Sequence, residues 1–409
     1  MRCRHCGGDD FIPFLDLGQA PPSNSYLEAE DLTRPEKRYP LVIRTCTSCW
    51  LTQTEDFADR EEFFSGDYAY FSSFSRTWLD HARTYVADMR ERFALGETSL
   101  VAEIAANDGY LLQYVKQIGI PCYGVEPTRD TAQAARARGI DMIEDFFGRD
   151  LAARLAQQGR QADLVAANNV LAHVPDINDF VAGFANLLKP AGVATFEFPH
   201  ILEMVRGNQF DTAYHEHYSY LSLLAVDRIF RANGLSVFDV GVTPHHGGSL
   251  RVYACRADYH AHPVTPAVAS MLSTERQAGL ESETFYAGFQ TKAEAARDAF
   301  CRFLGDAHAA GHKVAAYGAA AKGNTLLNFA GATARDVAFV VDRNPAKQGR
   351  YMPGSHIPIV SEDRLKSEQP DKVVILPWNI ETEIRNQLSY IRDWGGQFVT
   401  AIPKLAIRN

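Results

Sequence analysis

The chain has 409 residues, of which 46% are apolar and 22% charged, and this length allows two or three domains with hydrophobic cores. The formal net charge is -9 and no cluster of lysines and arginines stands out, so the long-range field would repel a nucleic acid backbone. The sequence contains no run of about 18 uninterrupted apolar residues, and it does not begin with a basic segment followed by an apolar stretch. We therefore expect a cytoplasmic globular protein that binds neither nucleic acid nor membrane.

Four of the seven cysteines form two close pairs near the start of the chain, Cys3 with Cys6 and Cys46 with Cys49. Two residues separate the members of each pair, and this spacing lets a tight turn direct both thiolates to one tetrahedral ion. Zinc binding can supply about 10 kcal/mol or more of the folding energy that a small domain lacks. The pattern predicts a structural Zn2+ site, although two accidental pairs of reduced thiols would look the same.

From about residue 100 onwards, short apolar runs alternate with amphipathic stretches, which is typical of a parallel sheet covered by helices. In this part of the chain strands are expected at residues 100–104, 122–125, 164–167, 193–198, 237–242 and 250–253. A second series, with strands at residues 313–317, 338–341 and 372–376, follows a helical stretch. The predicted α/β organisation is a zinc-binding domain at 1–65, a central domain at 66–260, connecting helices at 261–310 and a C-terminal Rossmann-like α/β domain at 311–409.

The first strand of the central domain is followed by acidic and small residues. Glu103 lies in the strand, and the turn after it contains Ala105, Asn107, Asp108 and Gly109, directly before a helix. Glycine in such a turn lets the backbone approach a ligand closely. Dinucleotide-binding turns use glycines to hold a diphosphate at a helix N-terminus. An acidic turn suits a cation better, such as S-adenosylmethionine with its sulfonium and ammonium groups.

Further polar residues follow the next strands. Glu126 follows the second strand, where an acidic side chain can hold the two ribose hydroxyls of an adenosine. Asn168 and Asn169 end the third strand, where they would face the methionine moiety, and Asp145 is a weaker candidate. Each residue alone is a weak signal, because an acidic residue after a strand is more often a helix cap or a solvated loop residue. Their order along the sheet predicts a central Rossmann-like class I methyltransferase domain that binds S-adenosylmethionine.

A dense polar segment, Tyr214-His215-Glu216-His217-Tyr218, follows the strand at residues 193–198. It provides imidazoles that titrate near neutral pH and a carboxylate that can orient or polarise them. Such groups are costly to bury without a purpose. The segment is therefore predicted to carry the reaction centre, and the alternative is a surface loop that happens to be rich in histidine.

Seven features of the sequence occur in order over nearly the whole chain: the cysteine pairs, EIAANDGYLLQYV, NNVLAHVPDINDF, YHEHYSYLS, GGSLRVY, YGAAAKGNTLLN and VDRNPAKQGRYMPGSHIPI. Together they resemble the deoxysugar 3-C-methyltransferases, including those of tetronitrose biosynthesis. The resemblance implies a zinc domain, a central S-adenosylmethionine-dependent domain, and a C-terminal domain that helps to hold a nucleotide-linked 4-keto-6-deoxy sugar. We expect the protein to be a monomer.

The resemblance also assigns roles in the reaction centre. It identifies His217 as the base, with Tyr214 and Glu216 beside it, and it adds His173 and Tyr68 as the matching histidine and tyrosine. Our hypothesis is that His217 removes the proton from the third carbon of the sugar, while Glu216 orients its neighbours. Tyr214 or His173 donates a hydrogen bond to the oxygen on which charge develops. The enolate carbon then bonds to the methyl group of S-adenosylmethionine, and S-adenosylhomocysteine is the second product.

Two positions fit the resemblance less regularly. Tyr70 lies in the same motif as Tyr68 and is the alternative match, and Ala105 stands where many methyltransferases have glycine.

The histidines His245 and His246 either line the pocket or form only a turn.

The C-terminal turn at residues 317–323 does not match the G-x-G-x-x-G pattern of dinucleotide-binding proteins. Its backbone amides and Lys322 are suited to a diphosphate, and the predicted contacts to the sugar nucleotide are Lys322, Asn324, Asp342 and Arg343. The alternative is that small residues there only let helix and strand pack closely. Two other functions remain open at this point: an NAD-dependent nucleotide-sugar oxidoreductase or epimerase, and a nonenzymatic zinc-ribbon binding protein.

Overall fold

The computed structural model describes residues 1–55, 57, 71–259 and 261–409. The N-terminal sheet is antiparallel, and its strands β1 (Phe11–Ala20), β2 (Tyr39–Cys46) and β3 (Thr52–Thr54) pair in chain order. A two-residue strand from the central domain, Ser219–Tyr220, pairs with β3 and completes this sheet. Because this strand directly follows the histidine-rich segment, the cysteine-bearing domain is hydrogen-bonded to the predicted reaction centre.

The central sheet is built from seven strands. They are β4 (Val101–Ile104), β5 (Cys122–Val125), β6 (Asp141–Ile143), β7 (Ala162–Asn168), β8 (Leu188–Pro199), then, after Ser219–Tyr220 (β9), β10 (Leu235–Thr243) and β11 (Ser249–Arg256). Their order is β10-β11-β8-β7-β4-β5-β6, and the last five in this order are parallel. The chain reverses its direction of travel across the sheet between β4 and β7. Ligands of open α/β sheets bind at such a reversal, outside the carboxyl ends of the strands.

Helices cover both faces of the central sheet through their apolar stripes. One face is covered by α1 (Arg76–Arg92), α2 (Leu112–Gln117) and α3 (Arg129–Ala137), and the other by α4 (Arg149–Gln157), α5 (Ile177–Leu187) and α7 (Leu223–Ala232). The short helix α6 (Ile201–Arg206) follows β8 and leads to the histidine-rich segment. Helix α1 begins at Arg76 because the hydroxyl of Ser75 accepts a hydrogen bond from the backbone of Trp78.

The helices α8 (Pro266–Ala278), α9 (Glu283–Tyr286) and α10 (Phe289–Ala309) connect the central sheet to the third sheet. That sheet consists of β12 (Val314–Tyr317), β13 (Val340–Val341), β14 (Ile359–Val360), β15 (Lys372–Ile375), β16 (Gln397–Thr400) and β17 (Ala406–Arg408), with helices α11 (Ala321–Ala330), α12 (Asp363–Glu368) and α13 (Glu381–Gln387). Its order is β14-β13-β12-β15-β16-β17, and only the last strand is antiparallel. The strand order of this sheet reverses between β12 and β15. The carboxyl ends of these two strands are therefore also a place where a ligand is expected to bind.

The predicted α/β class and its two Rossmann-like sheets are confirmed. All nine predicted strands are present, with ends that differ by a few residues: the predicted strand 193–198, for example, extends over Leu188–Pro199. The strands β6, β14, β16 and β17 and the whole N-terminal sheet lie outside the prediction. These four strands have only two to four residues, and the N-terminal sheet lies in a stretch rich in proline and glycine, where periodicity carries little signal. Among the described residues, no helix combines the length and the apolar character that a membrane span needs.

Candidate active site and zinc centre

The four predicted metal ligands come together in the N-terminal domain. All four sulfur atoms lie within 4.8 Å of one another, with Cys3 Sγ 3.5 Å from Cys49 Sγ and Cys6 Sγ 3.6 Å from Cys46 Sγ. These separations suit the edges of a tetrahedron around an ion with metal–sulfur distances of about 2.3 Å. The side-chain amide of Gln53 donates a hydrogen bond to Cys3 Sγ at 3.2 Å. Four thiolates complete the coordination of Zn2+, so this is a structural site and not a catalytic one.

A cavity of about 680 Å3 lies between the carboxyl ends of the central and C-terminal sheets. Predicted residues from all three groups line it: Ala105, Asn107, Glu126, Asp145, Asn168 and Asn169 from the cofactor group, His173, Tyr214 and His217 from the reaction centre, and Lys322, Asp342 and Arg343 from the C-terminal domain. Both His245 and His246 also line it, so the turn that they form is part of the pocket. Tyr68 and Tyr70 lie outside the described residues.

Three non-glycine residues with left-handed backbone conformations flank the reversal point of the central sheet. They are Ala105 (φ 57°), Asn107 (φ 49°) and Asn169 (φ 51°), after β4 and β7. Such conformations cost about 1–3 kcal/mol each and persist where surrounding contacts enforce them, often at ligand sites. In the same turn Gly109 has φ 77°, and a Cβ there would collide with Ile140. The backbone after β4 is therefore held in one strained shape at the cavity wall.

Glu126 holds that strained turn in place. Its Oε2 accepts a hydrogen bond from the backbone N–H of Asn107 at 3.0 Å, and its Oε1 accepts one from the backbone N–H of Thr128 at 2.9 Å. The residue is almost fully buried, and burial raises the pKa of its carboxyl group despite these donors. Its carboxylate thus joins the turn after β4 to the start of α3 while it faces the cavity.

The other acidic residues of the predicted cofactor site are placed differently. Glu103 is fully buried, and its carboxylate makes no hydrogen bond of normal geometry with the described residues; burial raises its pKa well above the ordinary value. Asp108 Oδ2 lies 3.4 Å from Arg138 Nη1 and accepts a hydrogen bond from the Ser73 hydroxyl. Neither Glu103 nor Asp108 is among the residues that line the cavity. Asp145, which does line it, pairs with the exposed Arg154 at 2.8 Å.

The histidine-rich segment places a neutral imidazole against the cavity. His217 Nδ1 lies 2.7 Å from the backbone carbonyl of Thr212, which can only accept, so Nδ1 carries the proton. His217 Nε2 is then the acceptor for the hydroxyl of Tyr214, at 2.7 Å. Burial, followed by the neighbouring His173 and Lys322, holds the pKa of His217 well below its ordinary value. His217 is therefore unprotonated at neutral pH, and the hydroxyl of Tyr214 covers the lone pair on its Nε2.

His173 and Glu216 flank this base in different ways. The rings of His173 and His217 meet edge to face with centroids 4.6 Å apart, and burial lowers the pKa of His173 to about 4. The carboxylate of Glu216 turns toward the N-terminal domain, where its Oε1 accepts hydrogen bonds from the backbone and the side-chain amide of Asn24 at 3.2 and 3.1 Å. Glu216 therefore connects the segment to the cysteine-bearing domain.

Two of the predicted residues of the C-terminal domain make hydrogen bonds that hold loops in place, and one of them, Asp342, also lines the cavity. Asp342 accepts backbone hydrogen bonds from Ala319 and Asn344, both at 2.8 Å, and so closes the turn after β12. Asn324 donates a hydrogen bond to the carbonyl of Ser23 at 2.7 Å, which joins this domain to the N-terminal domain.

Two basic residues of this domain face the cavity from different positions. Arg343 is exposed, and its Nη1 donates a hydrogen bond to Oε1 of Gln387 at 3.2 Å. Lys322 is mostly buried, and its Nζ approaches the Asn379 amide oxygen at 3.4 Å and the His246 carbonyl at 3.5 Å.

A second group of residues, His81, Glu197 and His245, has side-chain atoms close enough together to hold a metal ion, and His245 also lines the cavity. Arg251 Nη2 is 2.6 Å from Glu197 Oε2 and 3.0 Å from His81 Nε2, so a guanidinium already supplies the positive charge there. Although burial alone would raise it, His81 and Arg251 lower the pKa of Glu197 to about 2. We interpret the cluster as a buried ion-pair network. Its members are scattered over two strands, a helix and a turn, and no local motif in the sequence indicates it.

Three family models match the chain: "Putative zinc binding domain" at residues 3–64, "Methyltransferase domain" at 78–240 and "C-methyltransferase C-terminal domain" at 244–403. The chain is 35% identical over 402 residues to C-methyltransferase NovU of Streptomyces niveus, which is 98% of this chain and 95% of that protein. It is 26% identical over 94 residues to the ubiquinone biosynthesis O-methyltransferase of Chelativorans sp. (strain BNC1), or 23% of this chain and 37% of that protein. The solved structure of the magnesium protoporphyrin IX methyltransferase of Synechocystis PCC 6803 with bound SAH aligns with 44% of this chain and 83% of that chain, at 18% identity and a TM-score of 0.36.

Proposed function

Because this chain belongs to the C-methyltransferase family, we propose that it methylates the third carbon of a nucleotide-linked 4-keto-6-deoxy sugar. The protein is an enzyme, its methyl donor is S-adenosylmethionine, and its N-terminal domain binds zinc. The observation that carries the proposal is the neutral imidazole of His217, with Nε2 as its acceptor, at the wall of a cavity between two α/β domains. A neutral imidazole could also deprotonate a hydroxyl group, so the choice of carbon as the methyl acceptor rests on the family.

Carbon becomes nucleophilic only after it loses a proton, and a neighbouring ketone makes that possible because it accepts the electron pair as an enolate. His217 is suited to this task since it is unprotonated at neutral pH and its Nε2 has no competing proton. A 4-keto sugar presents an acidic C–H at its third carbon. His217 is buried, and electrostatic interactions that stabilise a developing charge are stronger in buried surroundings than in water.

Tyr214 has two parts in the proposed reaction. Its hydroxyl covers His217 Nε2 before substrate binds, and we expect it to turn to the ketone oxygen when the third carbon takes its place. The same motion exposes the base and supplies a hydrogen bond to the enolate. His173, which is neutral and 4.6 Å away ring to ring, is the second donor for this oxygen. Glu216, held by Asn24, keeps the segment in position.

The bound cofactor supplies an electrophilic methyl group. We propose that it lies along the carboxyl ends of β4, β5 and β7, where Glu126 holds the ribose hydroxyls. Ala105 and Asn107 keep the backbone close to it, and the asparagines Asn168 and Asn169 face its methionine moiety. The strained turn after β4 and the carboxylate that fixes it support this placement.

The sugar nucleotide would enter from the C-terminal side, where Arg343 at the exposed edge of the cavity suits a diphosphate. An NAD-dependent oxidoreductase is disfavoured by the turn after β12. Residues 317–323 lack the G-x-G-x-x-G pattern with which dinucleotide-binding domains hold a diphosphate. The monomeric state and the cytoplasmic location stay predictions.

The experiment that tests the function uses methyl-labelled S-adenosylmethionine and thymidine-, guanosine- and cytidine-diphosphate-linked 4-keto-6-deoxy sugars. The proposal expects one of these sugars to gain the label on its third carbon and to lose the hydrogen there, as read by mass spectrometry and NMR. A label on oxygen or nitrogen, or reduction of a sugar with NADH and no methyl transfer, would contradict it.

A further inference from the structure

Lys322 is a mostly buried ammonium group that contacts no carboxylate in the part of the chain that the structure describes. Within the described residues, no acidic oxygen lies within 4.0 Å of its Nζ, and its two hydrogen bonds, to Asn379 and to the His246 carbonyl, are long. The Nζ also lies 4.8 Å from the centre of the Trp378 ring. Burial lowers the pKa of Lys322, and the charge of Asp211 opposes this effect. The group is thus desolvated and incompletely paired while it lines the cavity.

Helix α11 fixes this ammonium beside the reaction centre. One turn after Lys322, the hydroxyl of Thr325 donates a hydrogen bond of 2.7 Å to the carbonyl of Ala213, the residue before Tyr214. Trp378, whose ring supports the ammonium, donates its indole N–H to Asp211 Oδ2 at 2.7 Å. These contacts join the helix and its lysine to the segment that carries the base.

We infer that Lys322 is a catalytic residue that stabilises the enolate oxygen of the sugar, an inference that rests on the proposed function. A cation with few partners in a water-poor site interacts strongly with a charge that develops nearby, and it needs no reorganisation when the charge forms. Arg343, at the exposed edge, is the better contact for the diphosphate. This reverses the sequence-based expectation that Lys322 meets the diphosphate.

The C–H bond at the third carbon breaks, and His217 Nε2 takes the proton. The electron pair forms a double bond to the fourth carbon, and the ketone oxygen takes the displaced π pair opposite Lys322 Nζ. The third carbon then bonds to the methyl carbon while the carbon–sulfur pair leaves on sulfur, and the ketone forms again.

The test separates enolisation from methyl transfer. S-adenosylhomocysteine replaces the donor in heavy water, and NMR follows hydrogen–deuterium exchange at the third carbon of the three keto sugars named above. Lys322→Met should slow the exchange about 10²- to 10³-fold, as loss of an oxyanion donor does, with an unchanged KM for the sugar nucleotide. Lys322→Arg should recover part of the rate because it keeps the charge. Lys366→Met, which removes an exposed lysine on α12, is the matched control and should exchange as wild type does.

A pH profile gives a readout that packing alone would not change. The groups that lower the pKa of His217 after burial are His173, Lys322 and His246. Loss of the lysine charge should therefore move the acid limb of the exchange profile to higher pH. Equal exchange rates in Lys322→Met and wild type, or a raised KM with an unchanged rate, would overturn the inference alone. A wild-type protein that neither exchanges nor methylates any of the sugars would overturn the proposed function itself.

Discussion

The hydroxyl of Tyr214 donates a hydrogen bond to Nε2 of His217 at 2.7 Å, and this bond covers the lone pair that the proposed reaction uses. The other nitrogen of His217 is committed to the carbonyl of Thr212 at 2.7 Å. The base is therefore fixed in one tautomer, and the proposed reaction requires the phenol of Tyr214 to leave Nε2 when the sugar binds.

Tyr214→Phe should lower kcat about 10²-fold, because the variant loses one donor to the enolate oxygen. KM for the sugar nucleotide should change little, since the ring itself remains. Steady-state kinetics with the labelled donor measures both constants. A kcat equal to that of wild type would show that the phenol has no part in the reaction.

The free energy of unfolding should report the buried, neutral state of His173. Its pKa is about 4 in the folded protein and about 6.5 when exposed, so the unfolded chain binds the extra proton between these values. The stability linked to His173 is complete above pH 6.5 and is lost as pH falls toward 4. The difference in unfolding free energy between wild type and His173→Asn should thus fall by at most about 1.4 kcal/mol per pH unit in this window. Urea denaturation measures it, and a constant difference would mean that the histidine titrates normally.

Ala105→Gly should stabilise the protein by at most about 1 kcal/mol, because glycine adopts the left-handed conformation at φ 57° without strain. The neighbouring Ala106 is the control. It is buried and outside the set of described residues with positive φ, so Ala106→Gly should destabilise the fold. Chemical denaturation compares the two variants. An equal loss of stability in both would indicate that the turn is unstrained.

Much of the site could be predicted from the sequence because its chemistry follows strand ends and short motifs. The cysteine pairs predicted zinc, and this prediction is confirmed. The contact between Asn24 and Glu216 joins residues 192 positions apart, and neither position carries a local pattern that indicates the other. The same holds for Trp378 and Asp211, which meet only because the C-terminal sheet packs against the central one.

The local sequence pattern also did not predict which groups the acidic side chains bind. Sequence spacing placed Glu126 and Asp342 at strand ends, as the structure has them. The two carboxylates nevertheless accept backbone hydrogen bonds from turns that only the folded chain creates.

Removal of zinc should reduce methyl transfer more than cofactor binding. The N-terminal domain reaches the reaction centre through the pairing of β3 with β9 and through the bonds from Asn24 to Glu216, whereas the turn after β4 is built within the central domain. Cys46→Ser should therefore lower zinc content and activity together while S-adenosylhomocysteine still binds. Metal analysis and calorimetry measure these quantities. Full activity in a zinc-free protein would contradict the coupling.

Hydrogen exchange at the third carbon in the His217→Asn variant shows whether His217 is the base that removes the proton from the sugar. With S-adenosylhomocysteine in heavy water, the wild-type enzyme should exchange that hydrogen, and His217→Asn should not, although it binds S-adenosylhomocysteine with unchanged affinity. His308→Asn, which replaces an exposed histidine on α10, should exchange at the wild-type rate. If His217→Asn exchanges the hydrogen as fast as wild type does, the base is a residue other than His217.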